Sequence, residues 1–213
     1  MKNPNLVIDV GQTFIKFVVI NNKYQVVDHI VLNNNLLIRK KIFNYDIKKL
    51  KNILIVNIKK IIKKYKIKKI IPITHGSASF FVNNNNEYLS GPHFSQKTSK
   101  SFDQSFFRLI KKNDFTHSIK LSAYHNLGKS FFYLLQNRKK LNLKKIITFP
   151  SLINYMLTGV LYLDKSYLAC HSFAWNFKKK NLINYFNNFK RFFPPINNSG
   201  KKIGYLKEEY SKK

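Results

Sequence analysis

Apolar and polar positions alternate in a way that divides the chain before any chemistry is considered. Leu6-Val7-Ile8 is a short apolar run and residues 14–20 resume a β-rich one. Residues 25–31 mix apolar and polar side chains as a third strand does. Tight turns at 9–13 and at Asn21-Asn22 separate these runs, so the first thirty residues predict an antiparallel meander. Over 46–65 the period changes. Ile47, Leu50, Leu54, Ile58, Ile61, Ile62 and Tyr65 recur at helical spacing, with a lysine-rich opposite face. Residues 67–74 predict a fourth strand, in which Pro72 suits an edge or a strand end. Residues 78–82 predict a fifth strand, turned by the asparagines at 83–86. Residues 88–120 read as irregular and loop-rich. The stretch 122–140 reads as a helix with Leu127, Phe131, Leu134 and Leu135 inward, weakened by Gly128. Pro150 and Gly159 bracket a short helix, and 181–189 reads as another. No internal repeat is visible. Strands, helix, strands and then helices predict an α/β fold.

Composition narrows the class. A chain of 213 residues with 44% hydrophobic side chains has enough apolar material for a sizeable core. A single cysteine, Cys170, excludes a disulfide scaffold and a multi-thiolate zinc site. No apolar run reaches transmembrane length, and the N-terminus lacks the layout of a signal peptide. The expectation is therefore a cytoplasmic protein with no membrane partner.

The net charge of +30, from 39 basic against 9 acidic residues, points at first to nucleic acid. The basic residues are 35 lysines and only 4 arginines: Arg39, Arg108, Arg138 and Arg191. Readers of bases and phosphates favour the arginine fork. Lysine here keeps company with Asn, Ile, Phe and Tyr, all of which have A/T-rich codons. The charge then reads as genome composition laid over solvated faces. A nucleic-acid-binding module built on the lysines at 59–69 is the rival reading, and a non-catalytic scaffold is a third. The scarcity of acids is the more useful figure, because each acid in an apolar setting stands out.

Asp9 is such an acid. It ends an apolar strand and is followed by Gly11, Gln12 and Thr13, then by a second strand carrying Lys16. A carboxylate at a strand end suits a hydrated Mg²⁺ that carries phosphates. Gly11 lets backbone approach a phosphate. The N–H groups of the turn and the Thr13 hydroxyl are donors for phosphate oxygens, and Lys16 adds a positive charge. Taken alone, the same residues also describe an ordinary hairpin in which Asp9 and Gly11 only shape the turn.

This segment, in its strand-turn-strand-turn-strand-helix-strand context, resembles the first phosphate loop of the actin-like ATPase superfamily. It is unlike a P-loop, which needs Gly-x-x-x-x-Gly-Lys-Ser/Thr. Within that superfamily the chain is similar to the N-terminal domain of the FGGY carbohydrate kinases. Three stretches carry the likeness. Ile73-Thr74-His75-Gly76-Ser77-Ala78 resembles the family's Thr-His-Gly segment, whose histidine lies near the sugar. Pro150-Ser151-Leu152-Ile153-Asn154-Tyr155-Met156-Leu157-Thr158-Gly159 resembles its Pro-(Asp)-x-x-x-Tyr-x-Leu-Thr-Gly helix, with Ser151 where Asp is common. The stretch from Phe193-Pro194-Pro195 to Ile203-Gly204-Tyr205-Leu206 resembles its Leu-Pro-Pro…Gly…Ile-Gly-x-Leu run. The family's Trp-x-Asp-x-Arg sugar loop has no clear copy; the nearest stretch is 91–97.

The resemblance implies a ribonuclease H-like α/β domain over 1–213, with a mixed five-stranded sheet and flanking helices. It implies transfer of a phosphoryl group from ATP, held with Mg²⁺, to a sugar or polyol hydroxyl. Asp9 would help hold the metal, Gly11, Gln12, Thr13 and Lys16 the phosphates, and His75 and Gly76 the sugar. The family's aspartate base and its adenine-binding second domain would lie beyond Lys213. The expectation is thus an N-terminal fragment inactive alone, with a separately encoded C-terminal domain as a candidate partner. Among the remaining residues, Asp103 and Asp114 read as solvated loop acids and Trp175 as a core aromatic. Cys170-His171 lacks zinc spacing, and Ser172 lacks the partners of a nucleophile.

Overall fold

The computed structural model describes residues 3–39, 43–76, 78–93, 97–112 and 127–211. The meander forms as the pattern predicts, from β1 (Asn5–Val10), β2 (Phe14–Ile20) and β3 (Val26–Asn33), each antiparallel to the next. A small antiparallel pair, β4 (Leu37–Arg39) and β5 (Phe43–Tyr45), leads to α1 (Ile47–Lys64). The Asp46 carboxylate caps α1 by accepting from the Lys49 N–H, and Lys63 and Lys64 sit in the last turn, where cations complement the helix dipole. Because α1 acts as a crossover, β6 (Lys69–Thr74) returns parallel to β1. The sheet runs β3-β2-β1-β6, mixed in direction, with Pro72 on its edge strand as expected. One face, carrying Leu6, Ile8, Val10, Ile15, Phe17 and Val19, is fully buried in a core shared with Leu50, Leu54 and Ile58 of α1.

The fifth predicted strand forms, but in a second sheet. β7 (Ala78–Asn83) lies between β8 (Tyr88–His93) and β9 (Leu143–Thr148), antiparallel to both. Every residue of β7 is buried. Ala-Ser-Phe-Phe-Val has no polar face to leave in water, so the strand needs cover on both sides. Ala78, Phe80 and Val82 enter the first core, while Phe81 enters a second core with Phe131, Leu134 and Leu135. The cross-strand partners sort the same way: Phe80 pairs with Ile147 in the first core and Phe81 with Ile146 in the second. β7 is the partition between two cores.

Of the stretch 88–120, expected to be irregular, residues 94–96 and 113–120 lie outside the described residues, and the described part is mostly a strand and a helix. The asparagine tract closes a hairpin: the Asn83 N–H donates to the Glu87 carbonyl and Asn86 takes φ 62°. β8 follows at once. Gly91 and Pro92 are uncommon inside a strand, but a Cβ on Gly91 would run into the Ser79 side chain and stand 3.1 Å from the Ser79 carbonyl, so the glycine suits the close approach of β8 to β7. Farther on, α2 (Lys100–Lys112) stacks Phe102 and Phe106, one turn apart, on Phe132 of α3 (Leu127–Gln136). Of the helix expected over 122–140, residues 122–126 lie outside the described residues and 137–140 form a turn.

The remainder is short elements, of which the first and the last pack into the first core and those between them around the second. α4 (Phe149–Thr158) starts with Pro150 in its first turn and ends at Gly159, as the sequence predicts. β10 (Leu163–Asp164) and α5 (Lys165–Ser172) follow. β11 (Trp175–Asn176) pairs with β12 (Asn181–Leu182), so the helix expected over 181–189 shrinks to α6 (Asn184–Asn187). β13 (Ile196–Asn197) pairs with β10, and α7 (Glu208–Ser211) closes on α1 through a Lys51–Glu209 ion pair of 2.9 Å.

Candidate functional site

The turn between β1 and β2 is short because Gly11 N–H donates to the Phe14 carbonyl at 2.9 Å. A Cβ on Gly11 would come within 3.2 Å of that same carbonyl, so the position is tight for any other residue. Asp9 and Lys16 lie opposite each other in the β1–β2 register, and Lys16 Nζ stands 3.4 Å from the Asp9 carboxylate. Both belong to the half-exposed face of the sheet, not the core face. Gln12 and Thr13 are exposed at the tip.

Sequence reasoning missed the residue that fixes this turn from below. Asn34, just past β3, donates its backbone N–H to the Thr13 carbonyl at 2.8 Å and its side-chain amide to the Gly11 carbonyl. Its side-chain oxygen accepts the Leu36 N–H. Asn34 is the middle of three consecutive asparagines, 33–35, and no local pattern marks one of them as a staple.

His75 follows the end of β6, beside the end of β1. Its N–H donates to the Val10 carbonyl at 3.0 Å. Its own carbonyl accepts the Tyr167 hydroxyl at 2.9 Å and the Thr74 hydroxyl at 3.0 Å. The ring sits among Tyr45 and Phe149. Nδ1 lies 2.8 Å from the Gly76 carbonyl and Nε2 lies 3.0 Å from the Tyr45 hydroxyl. Burial pushes the imidazole below its ordinary pKa, while the Gly76 carbonyl and the charge of Asp9 push back. Burial also pushes the Tyr45 phenol well up. The structure therefore brings Asp9, the 11–13 turn, Lys16, His75 and Gly76 to one edge, at the carboxyl ends of the parallel pair β1 and β6. Crevices at such strand ends are where open α/β sheets bind ligands. Ser77, from the same motif, lies outside the described residues.

Other candidates part company. Asp103 is not a loop acid: it sits in the first turn of α2, 2.7 Å from the buried Lys129 ammonium of α3, and accepts from Thr98. Burial pushes its carboxyl up, but the Lys129 and Thr98 donors outweigh this and hold it below the ordinary value. Trp175 is buried in the second core, as expected. Ser172 is buried and bonded to the Leu168 carbonyl. Asp114 and the side chains of Cys170 and His171 lie outside the described residues, as do 94–96 of the stretch nearest a sugar loop. No group of three or more His, Cys, Asp or Glu that would hold a metal occurs among the described residues. A single carboxylate at a strand end fits a Mg²⁺ ligated mainly by water and phosphate, and does not fit an all-protein cage.

The two later motif stretches meet in space. Gly159 ends α4 with φ 78°, and a Cβ on Gly204 would stand 3.1 Å from the Thr158 Cβ. The Lys207 N–H then donates to the Leu157 carbonyl at 2.8 Å. Ser151 is buried and its hydroxyl is bonded to that of Thr148 at 2.9 Å.

A mixed sheet with a carboxylate turn at its parallel strand ends and a second buried sheet beside it is the architecture of an actin-like ATPase lobe. The model of the FGGY family of carbohydrate kinases, N-terminal domain, matches residues 5–213. The chain belongs to that family. No curated protein sequence matches it. Among solved structures, a carbohydrate kinase from Novosphingobium aromaticivorans superposes with a TM-score of 0.84 at 19% identity, over 99% of this chain and 46% of that one. A ligand-bound xylulose kinase from Lactobacillus acidophilus gives 0.79 at 19% identity, over 99% and 45%. Plasmodium falciparum glycerol kinase with ADP gives 0.73 at 14% identity, over 98% and 46%. At such identities the likeness shows the fold. The chain spans about half the length of these neighbours (46% of the first).

Proposed function

We propose that this chain is the phosphate-loop half of an ATP-dependent sugar or polyol kinase. The observation that carries the reading is the convergence of the Asp9–Lys16 pair, the Gly11 turn and His75 on one strand-end edge. Mg·ATP, when bound, supplies the phosphoryl group and a metal that neutralises its charge. Asp9 is the residue to hold the metal through its water shell. Backbone N–H groups at 12 and 13 and the Thr13 hydroxyl donate to phosphate oxygens, with Gly11 N–H holding the turn through the Phe14 carbonyl, and Lys16 offsets their charge. His75 and Gly76 wall the sugar side. The general base and the adenine site belong, on this reading, to the portion of the neighbours' length that this chain does not span. A separately encoded C-terminal domain is the partner that would supply them. The cytoplasm, where ATP is held, is the compartment the reaction requires; no described helix is long and apolar enough to cross a membrane.

Titration of the ¹⁵N-labelled chain with Mg·pyrophosphate tests the reading. The Gly11, Gln12 and Thr13 amides should shift, with a Mg²⁺ dependence that Asp9→Asn removes. Shifts confined to the lysine-rich face of α1, or none at millimolar ligand, would sink it. Turnover of ATP with a ketose or polyol by this chain alone would overturn the fragment reading.

A further inference from the structure

His75 is expected near the sugar, yet both nitrogens of its ring are engaged by protein. The Gly76 carbonyl can only accept, so Nδ1, 2.8 Å away, carries the proton. In the neutral ring Nε2 is then an acceptor, and the Tyr45 hydroxyl, 3.0 Å away, donates to it. Tyr45 itself is held on several sides. Its ring packs on Phe80, His93 and Phe149 at centroid distances of 5.6, 5.7 and 5.4 Å, and its N–H donates to the Ser90 hydroxyl at 3.2 Å. Among the described residues, the charged or titratable groups around the imidazole include Asp9 from β1, Tyr45 from β5, Tyr167 from α5 and, across the Tyr45 ring, His93 from β8.

We infer that Tyr45 is a positioning residue that locks His75 in the Nδ1–H tautomer, so that this imidazole serves as a fixed wall and not as a hydrogen-bond partner of the substrate. The lock matters because the His75 main chain ties the ends of β1 and β6 together through the Val10 carbonyl. The inference rests on the proposed function only in calling this edge a sugar wall. Tyr45 gives no local signal in the sequence, since it lies thirty residues from its partner.

Long-range ¹H–¹⁵N correlation of the histidine rings, at about pH 8 where an ordinary imidazole is neutral, reads the tautomer directly. His75→Gln assigns the signals. The wild-type chain should show a protonated Nδ1 and a bare, hydrogen-bonded Nε2. In Tyr45→Phe, which keeps the ring packing, the Nε2 signal should move to the unbonded position or the proton should transfer to Nε2. A purely packing role for Tyr45 would leave the ring signals where they were, and that result overturns the inference. So does a wild-type ring protonated on Nε2, whether or not the variant folds. The measurement uses no nucleotide or sugar, so its failure leaves the phosphate-loop reading intact, and failure of the pyrophosphate titration leaves the tautomer result intact.

Discussion

The two sheets of this protein solve opposite problems. The β3-β2-β1-β6 sheet buries one face and leaves the other half open, and its candidate chemistry, Asp9 and Lys16, stands on the open face. The β8-β7-β9 sheet has a central strand with no open face at all. Side chains on the first sheet can therefore meet a ligand with no loss of core. Side chains on β7 serve two cores at once and can meet nothing else. The lesson is that the partition is where stability is concentrated and the strand-end turn is where binding can change without unfolding the domain.

The largest expected effect is a break at the partition. Phe80→Ala should cost about 3–5 kcal/mol in denaturant unfolding, because a fully buried ring leaves a cavity between tightly packed strands. Next comes the ion pair between α2 and α3. Asp103→Ala removes a carboxylate from a nine-tenths buried lysine and should cost about 3 kcal/mol by the same measurement. A paired Lys129→Met and Asp103→Leu change should recover much of that loss, which separates charge from packing. On the turn side, Asn34→Ala gives up its side-chain bonds to the Gly11 carbonyl and the Leu36 N–H. A loss of about 2 kcal/mol follows, together with weaker Mg·pyrophosphate shifts at 11–13.

Acid should weaken the edge around His75. Its folded pKa is depressed below the ordinary 6.5, so the unfolded chain takes up the proton first. Its contribution is present above about pH 6.5 and is lost as pH falls toward the folded value. Thermal melts from pH 8 downward should show the loss, and His75→Gln should flatten that part of the profile. The smallest effect is expected on the open face. Ile71→Thr, at a side chain 40% exposed, should change stability by no more than about 0.5 kcal/mol. A large loss there would mean that the open face is not open.

Much of this arrangement was legible in the residues. The period change from 2 to 3.6 marked the meander and α1, Pro150 and Gly159 marked α4, and Asp9 stood out among nine acids. The partition was not legible, because a run apolar on both faces says that it is buried but not between what. β8 was not legible either, because the reason for a glycine at 91 is Ser79 across the sheet. Asn34, Tyr45 and Tyr167 act through contacts 23, 30 and 92 residues away, and no local pattern encodes such distances.

One feature near the end of the described chain bears on the order of assembly. Phe192 and Phe193 belong to the second core, Gly204 crosses the end of α4, and Tyr210, fully buried in the first core, sits on α7, which packs against α1. On the ribosome, the core shared by the meander and α1 therefore lacks one of its fully buried side chains until almost all of the described chain has been synthesised.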